Sequence, residues 1–289
     1  MKQYSSQLRA VDGIDLEVGE GEVFGLIGPN GAGKSTTIRI VATILSPTAG
    51  TVKVLGHDVV KEQQEVRKII SYLPEEAGAY DNLSGEEYLR FMARFYGGDV
   101  EAALQRGIRI ADLGDRIKSK TKEYSKGMKR RLLIGRTLMT DSRLFIMDEP
   151  TGGLDIVHAH HIRNMIKDRV KRTRTSALVS SHNLLEVEFL CDRVAIIDHG
   201  KIATVGTPAE LKKRFSAANL EDVFLQIVRD RDTPVKATSS EPDHFDGASS
   251  RSSPERPGLQ PAEDGKAANF VRRHPPRRVE ESQTAKGAP

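Results

Sequence analysis

Residues 28–35 read Gly-Pro-Asn-Gly-Ala-Gly-Lys-Ser, and the rest of the chain is organised around them. Their spacing satisfies every fixed position of the pattern G-x-x-x-x-G-K-[ST], a loop whose backbone N–H groups cradle phosphates. The apolar run 23–27 before the loop predicts a buried strand, and apolar residues at helical spacing over 36–45 predict a helix. A strand, this loop and a helix in that order predict an α/β nucleotide-binding domain.

Each part of the loop suits a nucleoside triphosphate with Mg²⁺. Gly28, Gly31 and Gly33 let successive N–H groups converge on phosphate oxygens, and the helix adds its positive end. Lys34 is expected to neutralise the β- and γ-phosphates, while the hydroxyl of Ser35 ligates Mg²⁺. A glycine-rich connecting turn is the alternative, and the complete pattern disfavours it. The predicted nucleotide-binding residues of the loop are Gly28, Pro29, Asn30, Gly31, Ala32, Gly33, Lys34, Ser35 and Thr36.

Composition limits the classes of function. The chain has 289 residues, 38% hydrophobic and 29% charged, which is enough for one large α/β domain and additional segments. Its net charge of +4, from 44 basic and 40 acidic residues, gives no strong case for nucleic acid as a partner. The single cysteine, Cys191, excludes an internal disulfide and suits a reducing compartment. No apolar run approaches the roughly 18 residues of a membrane span, so any membrane role is expected to be peripheral.

Polar side chains follow two later apolar runs. Residues 144–147 are typical of a central parallel strand, and Asp148 and Glu149 come directly after them. We expect Asp148 to hold Mg²⁺ through water and Glu149 to activate the water that attacks the γ-phosphate. The buried run 177–181 ends at the same edge and is followed by His182, whose imidazole can bond a γ-phosphate oxygen. A histidine at a strand end is ordinarily incidental, so position alone leaves its role open.

The remaining segments set the predicted domain organisation. Apolar residues alternate over 14–18 and again over 51–55, which predicts strands, the second in an antiparallel side sheet. Helical periodicity predicts a helical insertion at about 80–140. Its aromatic stripe is expected to pack in the core, and a partner-binding surface is the alternative. The compact domain is expected to span 1–228. Residues 229–289 are rich in Ser, Pro and charge and are predicted to be a disordered tail.

With these residues placed, the chain from about Tyr4 to Val228 resembles the ATP-binding subunit of ATP-binding-cassette (ABC) transporters. The segment 124–128, Tyr-Ser-Lys-Gly-Met, is similar to the signature loop of that family, and 150–155 is similar to its D-loop. His182 falls where the family has its switch histidine. The resemblance implies an α/β fold of the P-loop NTPase (RecA-like) type, with a parallel-sheet core, an antiparallel side sheet and an inserted helical subdomain.

The resemblance also implies further site residues. Ser125 and Gly127 would bind the γ-phosphate held by an opposite subunit, and Asp155 of the D-loop would belong to the same nucleotide site. Tyr4 matches the aromatic residue that stacks on adenine. Glu75 stands where most members have a glutamine, and its carboxylate remains a competent Mg²⁺ ligand. Together with Glu149 and His182 as catalytic residues, these positions complete the predicted site.

The implied function is an ATPase subunit that dimerises around ATP and drives a separate transmembrane permease. The second ATP-binding subunit could be a copy or a different cassette, and the expected location is cytoplasmic, peripheral on the inner face of the cell membrane. Residues 220–224 resemble the ending of ABC-2 exporter ATPases, which favours export. No nucleic-acid partner is expected.

Two other classes compete with this interpretation. ABC ATPases of chromosome repair carry long coiled coils, for which the roughly 90 residues between the phosphate and signature loops leave no room. Those acting in translation usually hold two cassettes, and this chain has one. A regulatory subunit that binds ATP without hydrolysing it is disfavoured by the presence of both Glu149 and His182.

Overall fold

A computed structural model describes residues 1–5, 8–232 and 268–269. The strands are β1 (Lys2–Gln3), β2 (Arg9–Val11), β3 (Val23–Ile27), β4 (Val52–Val54), β5 (His57–Asp58), β6 (Ile70–Leu73), β7 (Leu144–Asp148), β8 (Ser176–Ser181), β9 (Arg193–Asp198), β10 (Lys201–Gly206) and β11 (Ala268–Asn269). The helices are α1 (Lys34–Val41), α2 (Gln63–Ile69), α3 (Gly85–Tyr96), α4 (Val100–Ala111), α5 (Lys126–Leu138), α6 (Ile156–Thr173), α7 (Leu184–Leu190), α8 (Pro208–Arg214) and α9 (Leu220–Asp232).

The core is a six-stranded sheet with the order β10-β9-β3-β8-β7-β6. All neighbours are parallel except β10, which returns antiparallel beside β9 through a tight hairpin. Every residue of β3, β7 and β8 is buried, as expected of strands covered by helices on both faces. These three strands are adjacent and parallel, so their carboxyl ends meet at one edge of the sheet. The predicted parallel-sheet core is confirmed.

Small side sheets flank this core. Strands β4 and β5 pair antiparallel, which confirms the predicted side sheet, and β1 pairs antiparallel with β2. The strand predicted over 14–18 is wrong, because no strand forms between β2 and β3 in the described residues. Leu16 and Val18 are nevertheless buried against α1 and the neighbouring strands. The alternation of apolar and polar residues therefore indicates which side chains face the core. Their burial does not require the segment to pair with another strand.

The predicted helical insertion consists of α3, α4 and α5. A capping box starts α3, with the Ser84 side chain accepting from the Glu87 N–H and the Glu87 carboxylate accepting from the Ser84 N–H. Helices α4 and α5 approach closely, since a Cβ on Gly135 would lie 2.6 Å from the Gly107 carbonyl. The aromatic stripe on α3 divides: Tyr88 is buried in the core, whereas Phe95 is exposed.

The continuous described segment 8–232 ends with α9, four residues beyond the predicted boundary at 228. The predicted tail 229–289 otherwise lies outside the described residues, except for Ala268–Asn269, which form β11 parallel to β4. Within the described residues, no helix is long and apolar enough to cross a membrane.

Candidate functional site

The phosphate loop connects β3 to α1 and is fixed by close backbone contacts. A Cβ on Gly28 would lie 2.1 Å from the Ile197 carbonyl oxygen, and one on Gly33 would lie 2.3 Å from the Ala10 carbonyl oxygen. Gly33 also has φ 107°, a conformation that favours glycine, and it is the N-cap of α1. These glycines let the loop pass between β9 and β2 while its N–H groups stay at the positive end of a helix.

Lys34 lies beneath this loop with 7% of its surface exposed. Its Nζ donates hydrogen bonds to the carbonyl oxygens of Gly28, at 2.6 Å, and Pro29, at 3.0 Å. Burial lowers the pKa of the Lys34 ammonium, and the nearby carboxylates of Glu149 and Asp148 oppose that shift. The ammonium is thus a poorly solvated cation held beside the loop, where a phosphate would be its natural partner.

Asp148 ends β7, and one of its two carboxylate oxygens has no hydrogen-bond partner. Its Oδ1 accepts a short hydrogen bond from Ser180 Oγ and lies 3.5 Å from Ser35 Oγ. Its Oδ2 is buried without a hydrogen-bond partner. An unpaired carboxylate oxygen beside a serine hydroxyl fits Mg²⁺, which is usually held by one or two carboxylates, water and substrate phosphates. Among the described residues, no group of three or more His, Cys, Asp or Glu is arranged to hold a metal ion.

Glu149 and His182 form a pair at the adjoining ends of β7 and β8. Glu149 Oε2 lies 2.8 Å from His182 Nδ1, with the glutamate side chain 12% exposed and the histidine 70% exposed. The Glu149 backbone is left-handed, with φ 51°, which is uncommon for a residue other than glycine. Its N–H donates to the carbonyl oxygen of Ser180 at 3.1 Å. A half-enclosed carboxylate next to an exposed imidazole can accept a proton from water while the imidazole bonds a phosphate oxygen.

These groups converge on one cavity of about 820 Å³. It brings together the whole phosphate loop with both carboxylates, the histidine and Glu75; its lining is Leu8, Ala10, Gly28, Pro29, Asn30, Gly31, Ala32, Gly33, Lys34, Ser35, Thr36, Glu75, Asp148, Glu149, His182 and Phe224. Tyr4 is not among those residues, but its hydroxyl lies 3.5 Å from Thr36 Oγ1 at the margin. Half of the Tyr4 surface is exposed, so its ring is accessible to a base.

The predicted signature and D-loop contacts do not line this cavity. Of the described residues that line the 820 Å³ cavity, none belongs to segment 124–128 or is Asp155. Ser125 caps α5, its Oγ accepting from the Met128 N–H at 3.2 Å. Asp155 caps α6 and pairs with His158 Nδ1 at 2.6 Å. Within one chain, these predicted nucleotide contacts therefore do not meet the phosphate loop.

Two buried charged residues near the site were not predicted from the sequence. Arg130, on α5, donates to backbone carbonyls on both sides of the site, and burial lowers the pKa of its guanidinium. Glu186, on α7, accepts from Ser181 Oγ at 3.3 Å, and burial raises the pKa of its carboxyl. The sequence signal for each was weak, since both lie in charged helical segments that resemble solvated faces.

Comparisons with known proteins agree with this geometry. The family model "ABC transporter" matches residues 11–152. The daunorubicin/doxorubicin resistance ATP-binding protein DrrA of Streptomyces peucetius is 42% identical over 207 residues, covering 71% of this chain and 62% of that protein. The linearmycin resistance ATP-binding protein LnrL of Bacillus subtilis (strain 168) is 36% identical over 230 residues, covering 76% of this chain and 74% of that protein.

A solved structure of the ATP-binding subunit of an ABC transporter superposes with a TM-score of 0.71 at 28% identity, covering 78% of this chain and 95% of that one. The chain thus spans most of a solved cassette, but less than two thirds of the length of DrrA. The predicted family and the P-loop NTPase fold are confirmed. By sequence, fold and the convergence of its phosphate loop with two carboxylates and a histidine, this chain belongs to the ABC transporter family.

Proposed function

We propose that this chain binds ATP with Mg²⁺ in the 820 Å³ cavity and hydrolyses it to drive a separate transmembrane permease. The observation that carries the proposal is the convergence of Lys34, Asp148 and the Glu149–His182 pair on one phosphate loop. Lys34 exchanges its bonds to the loop carbonyls for bonds to the β- and γ-phosphates. Glu149 accepts the proton of the attacking water, and His182 bonds the γ-phosphate oxygen that faces it.

Mg²⁺ would be held by Asp148, Ser35 and the phosphates, with Glu75 as a further carboxylate on the same cavity. The ion supplies charge neutralisation on the phosphates when bound. Asp148 is suited to this role because one of its oxygens is already fixed by Ser180 while the other has no partner. The bond to Ser180 therefore fixes the orientation of the carboxylate before an ion binds.

Asp148→Asn is expected to remove most of the dependence of nucleotide affinity on Mg²⁺. The amide keeps the size of the side chain but lacks its negative charge, and for a group that holds the ion through water we expect a loss of about 10- to 100-fold in metal affinity. The measurement is the Kd of ATP with Mg²⁺ and with EDTA, for wild type and variant. Asp198→Asn, a buried carboxylate at the end of β9, is the control and should keep the wild-type ratio. An unchanged ratio in Asp148→Asn would contradict the assignment.

The site is proposed to be completed by a second ATP-binding subunit. Ser125 and Gly127 lie at the N-terminus of α5, where N–H groups favour an anion, yet they do not line the cavity of their own chain. A second subunit facing the first would bring its α5 N-terminus to the γ-phosphate, so ATP would bridge the two. Hydrolysis then removes the bridge, and this opening and closing is the movement delivered to the permease.

Gly127→Asp provides a test of the shared site. A Cβ at Gly127 would meet Leu154 at 3.6 Å and the Gly153 carbonyl at 3.7 Å, which are ordinary contacts, so the fold should tolerate the change. The new carboxylate would repel the γ-phosphate and abolish hydrolysis in a homodimer. Lys34→Met, impaired in its own phosphate loop, should also be inactive.

Mixing the two inactive variants should restore activity if each site is built from two chains. Half of the dimers would then be mixed and hold one intact site, giving about a quarter of the wild-type rate. Gly127→Asn, of the same size but neutral, is the matched control and should retain more activity than Gly127→Asp. A mixture that remains inactive, beside an active wild type, would contradict a site shared between two copies of this chain.

We further propose a cytoplasmic location on the inner face of the cell membrane and a permease that acts as an exporter. Support comes from the resistance proteins DrrA and LnrL, whose names describe drug resistance, and from the resemblance of residues 220–224 to exporter ATPases. Fractionation of cells with and without the permease tests the location: the chain should follow the membrane only when the permease is present.

A further inference from the structure

Arg130 connects three parts of the site through its guanidinium. The residue lies one turn into α5, is 7% exposed, and its NH1 donates to the carbonyl oxygens of Pro74, at 2.9 Å, and Glu75, at 3.1 Å. Its Nε donates to the Pro150 carbonyl at 3.1 Å. Arg130 thus joins the loop after β6 to the loop after β7.

The same side chain holds the two carboxylate residues by their backbones. Its NH2 donates to the carbonyl oxygen of Asp148 at 2.7 Å and to that of Glu149 at short range. All five of these bonds go to backbone oxygens, so the guanidinium fixes the path of the chain rather than the carboxylate groups. Lysine could not replace this arrangement, because an ammonium lacks the planar set of five donors.

The bond to Glu149 matters because the backbone of that residue is in the left-handed region, with φ 51°. A non-glycine residue in that region costs free energy and persists only when its surroundings hold it there. The Glu149 N–H bonds Ser180, and the Glu149 carbonyl is held from the other side by Arg130 and the Gly152 N–H. With the backbone in this conformation, Glu149 Oε2 lies 2.8 Å from His182 Nδ1.

We propose that Arg130 is a positioning residue for hydrolysis, which holds Glu149 in its left-handed conformation and ties it to the Glu75 loop and the α5 helix. This inference rests on the proposed function of Glu149 as the base. Arg130 does not line the 820 Å³ cavity, so it should affect the rate of the chemical step much more than nucleotide binding. Because Ser125 and Arg130 share α5, a displacement of this helix by a bound γ-phosphate would move the base as well.

The test uses Arg130→Lys and Arg130→Ala in the full chain, with Arg136→Lys as the matched control. Arg136 lies on the same helix and donates to the Tyr72 carbonyl at 2.8 Å, but makes no bond to residues 148–150. We expect Arg130→Lys to lower kcat by about 100-fold, the cost of a small misplacement of a reacting group, with KM for ATP within about threefold. Arg136→Lys should keep the wild-type kcat.

Chemical rescue separates positioning from loss of structure. Arg130 lines a second cavity together with Glu75 and Glu149, so added methylguanidinium can reach the space left in Arg130→Ala. We expect it to raise kcat of Arg130→Ala at least tenfold and to leave Arg136→Lys unchanged. A wild-type kcat in Arg130→Lys would overturn the proposal, as would equal losses in kcat and ATP affinity without rescue. Glu149→Gln, measured alongside, separates the role of Arg130 from the proposed role of Glu149 as the base. If Glu149→Gln hydrolyses ATP at the wild-type rate, Glu149 is not the base, whatever the result for Arg130.

Discussion

Glu149→Gln is expected to lower phosphate release by about 10²- to 10⁴-fold, the usual contribution of a general base. The amide has the same size as the carboxylate but cannot accept the proton of the attacking water. The backbone bonds of Glu149 to Ser180 and Arg130 do not involve the side chain and should persist. ATP affinity should therefore change little. Phosphate release and ATP binding, measured on the same preparation, check this.

Under the proposed mechanism, hydrolysis removes a nucleotide that bridges two subunits, so the variant should also accumulate as an ATP-bound dimer. Size-exclusion chromatography with light scattering should give a monomer without nucleotide and a dimer with ATP and Mg²⁺. Glu76→Gln is the control: Glu76 is adjacent to Glu75 and exposed, and does not line the 820 Å³ cavity. Hydrolysis by Glu149→Gln above a tenth of the wild-type rate would contradict the role of Glu149 as base.

The local patterns in the sequence predicted the elements that hold the candidate site residues. The phosphate loop, the apolar run before Asp148 and the run before His182 each have short-range signals, and parallel strands necessarily place their ends at one edge. The structure brings these residues to a single cavity. The strand predicted over 14–18 failed because alternation encodes burial, whereas a strand also needs a partner backbone in register.

Arg130 shows what local pattern could not provide. Its five acceptors are backbone carbonyl oxygens at the end of β7 and in the loops after β6 and β7. In the sequence they lie between 18 and 56 positions before or after Arg130. Backbone acceptors carry no residue identity, so no pairing of residue types points to them. In the sequence the arginine stands in Lys-Arg-Arg, a typical solvated stretch of helix. The acceptors of the buried guanidinium are brought to it only by the packing of α5 against the ends of β6 and β7.

Lys34→Met is expected to weaken ATP binding by about 30- to several thousand-fold, since truncating one partner of a buried, hydrogen-bonded charge pair costs about 2–5 kcal/mol. The Kd of ATP with Mg²⁺, measured by titration calorimetry, checks the size of the loss. Lys53→Met on β4 is the control, because Lys53 belongs to the side sheet and should leave the Kd unchanged. A Kd within threefold of wild type would contradict the assignment of Lys34 to the phosphates.

The loss of binding should occur without loss of folding stability. Burial lowers the pKa of Lys34 in the folded protein, so folding disfavours the charged ammonium, and this cost is fully present at any pH below the lowered pKa. Methionine removes this cost, but also the two hydrogen bonds to Gly28 and Pro29, which stabilise by about 0.5–1.5 kcal/mol each. These effects oppose each other, so the nucleotide-free variant should melt within a few degrees of wild type. A role in phosphate binding would explain why a cation is kept beneath the loop against its own desolvation, whereas a variant that lost both binding and stability would show instead that Lys34 supports the loop.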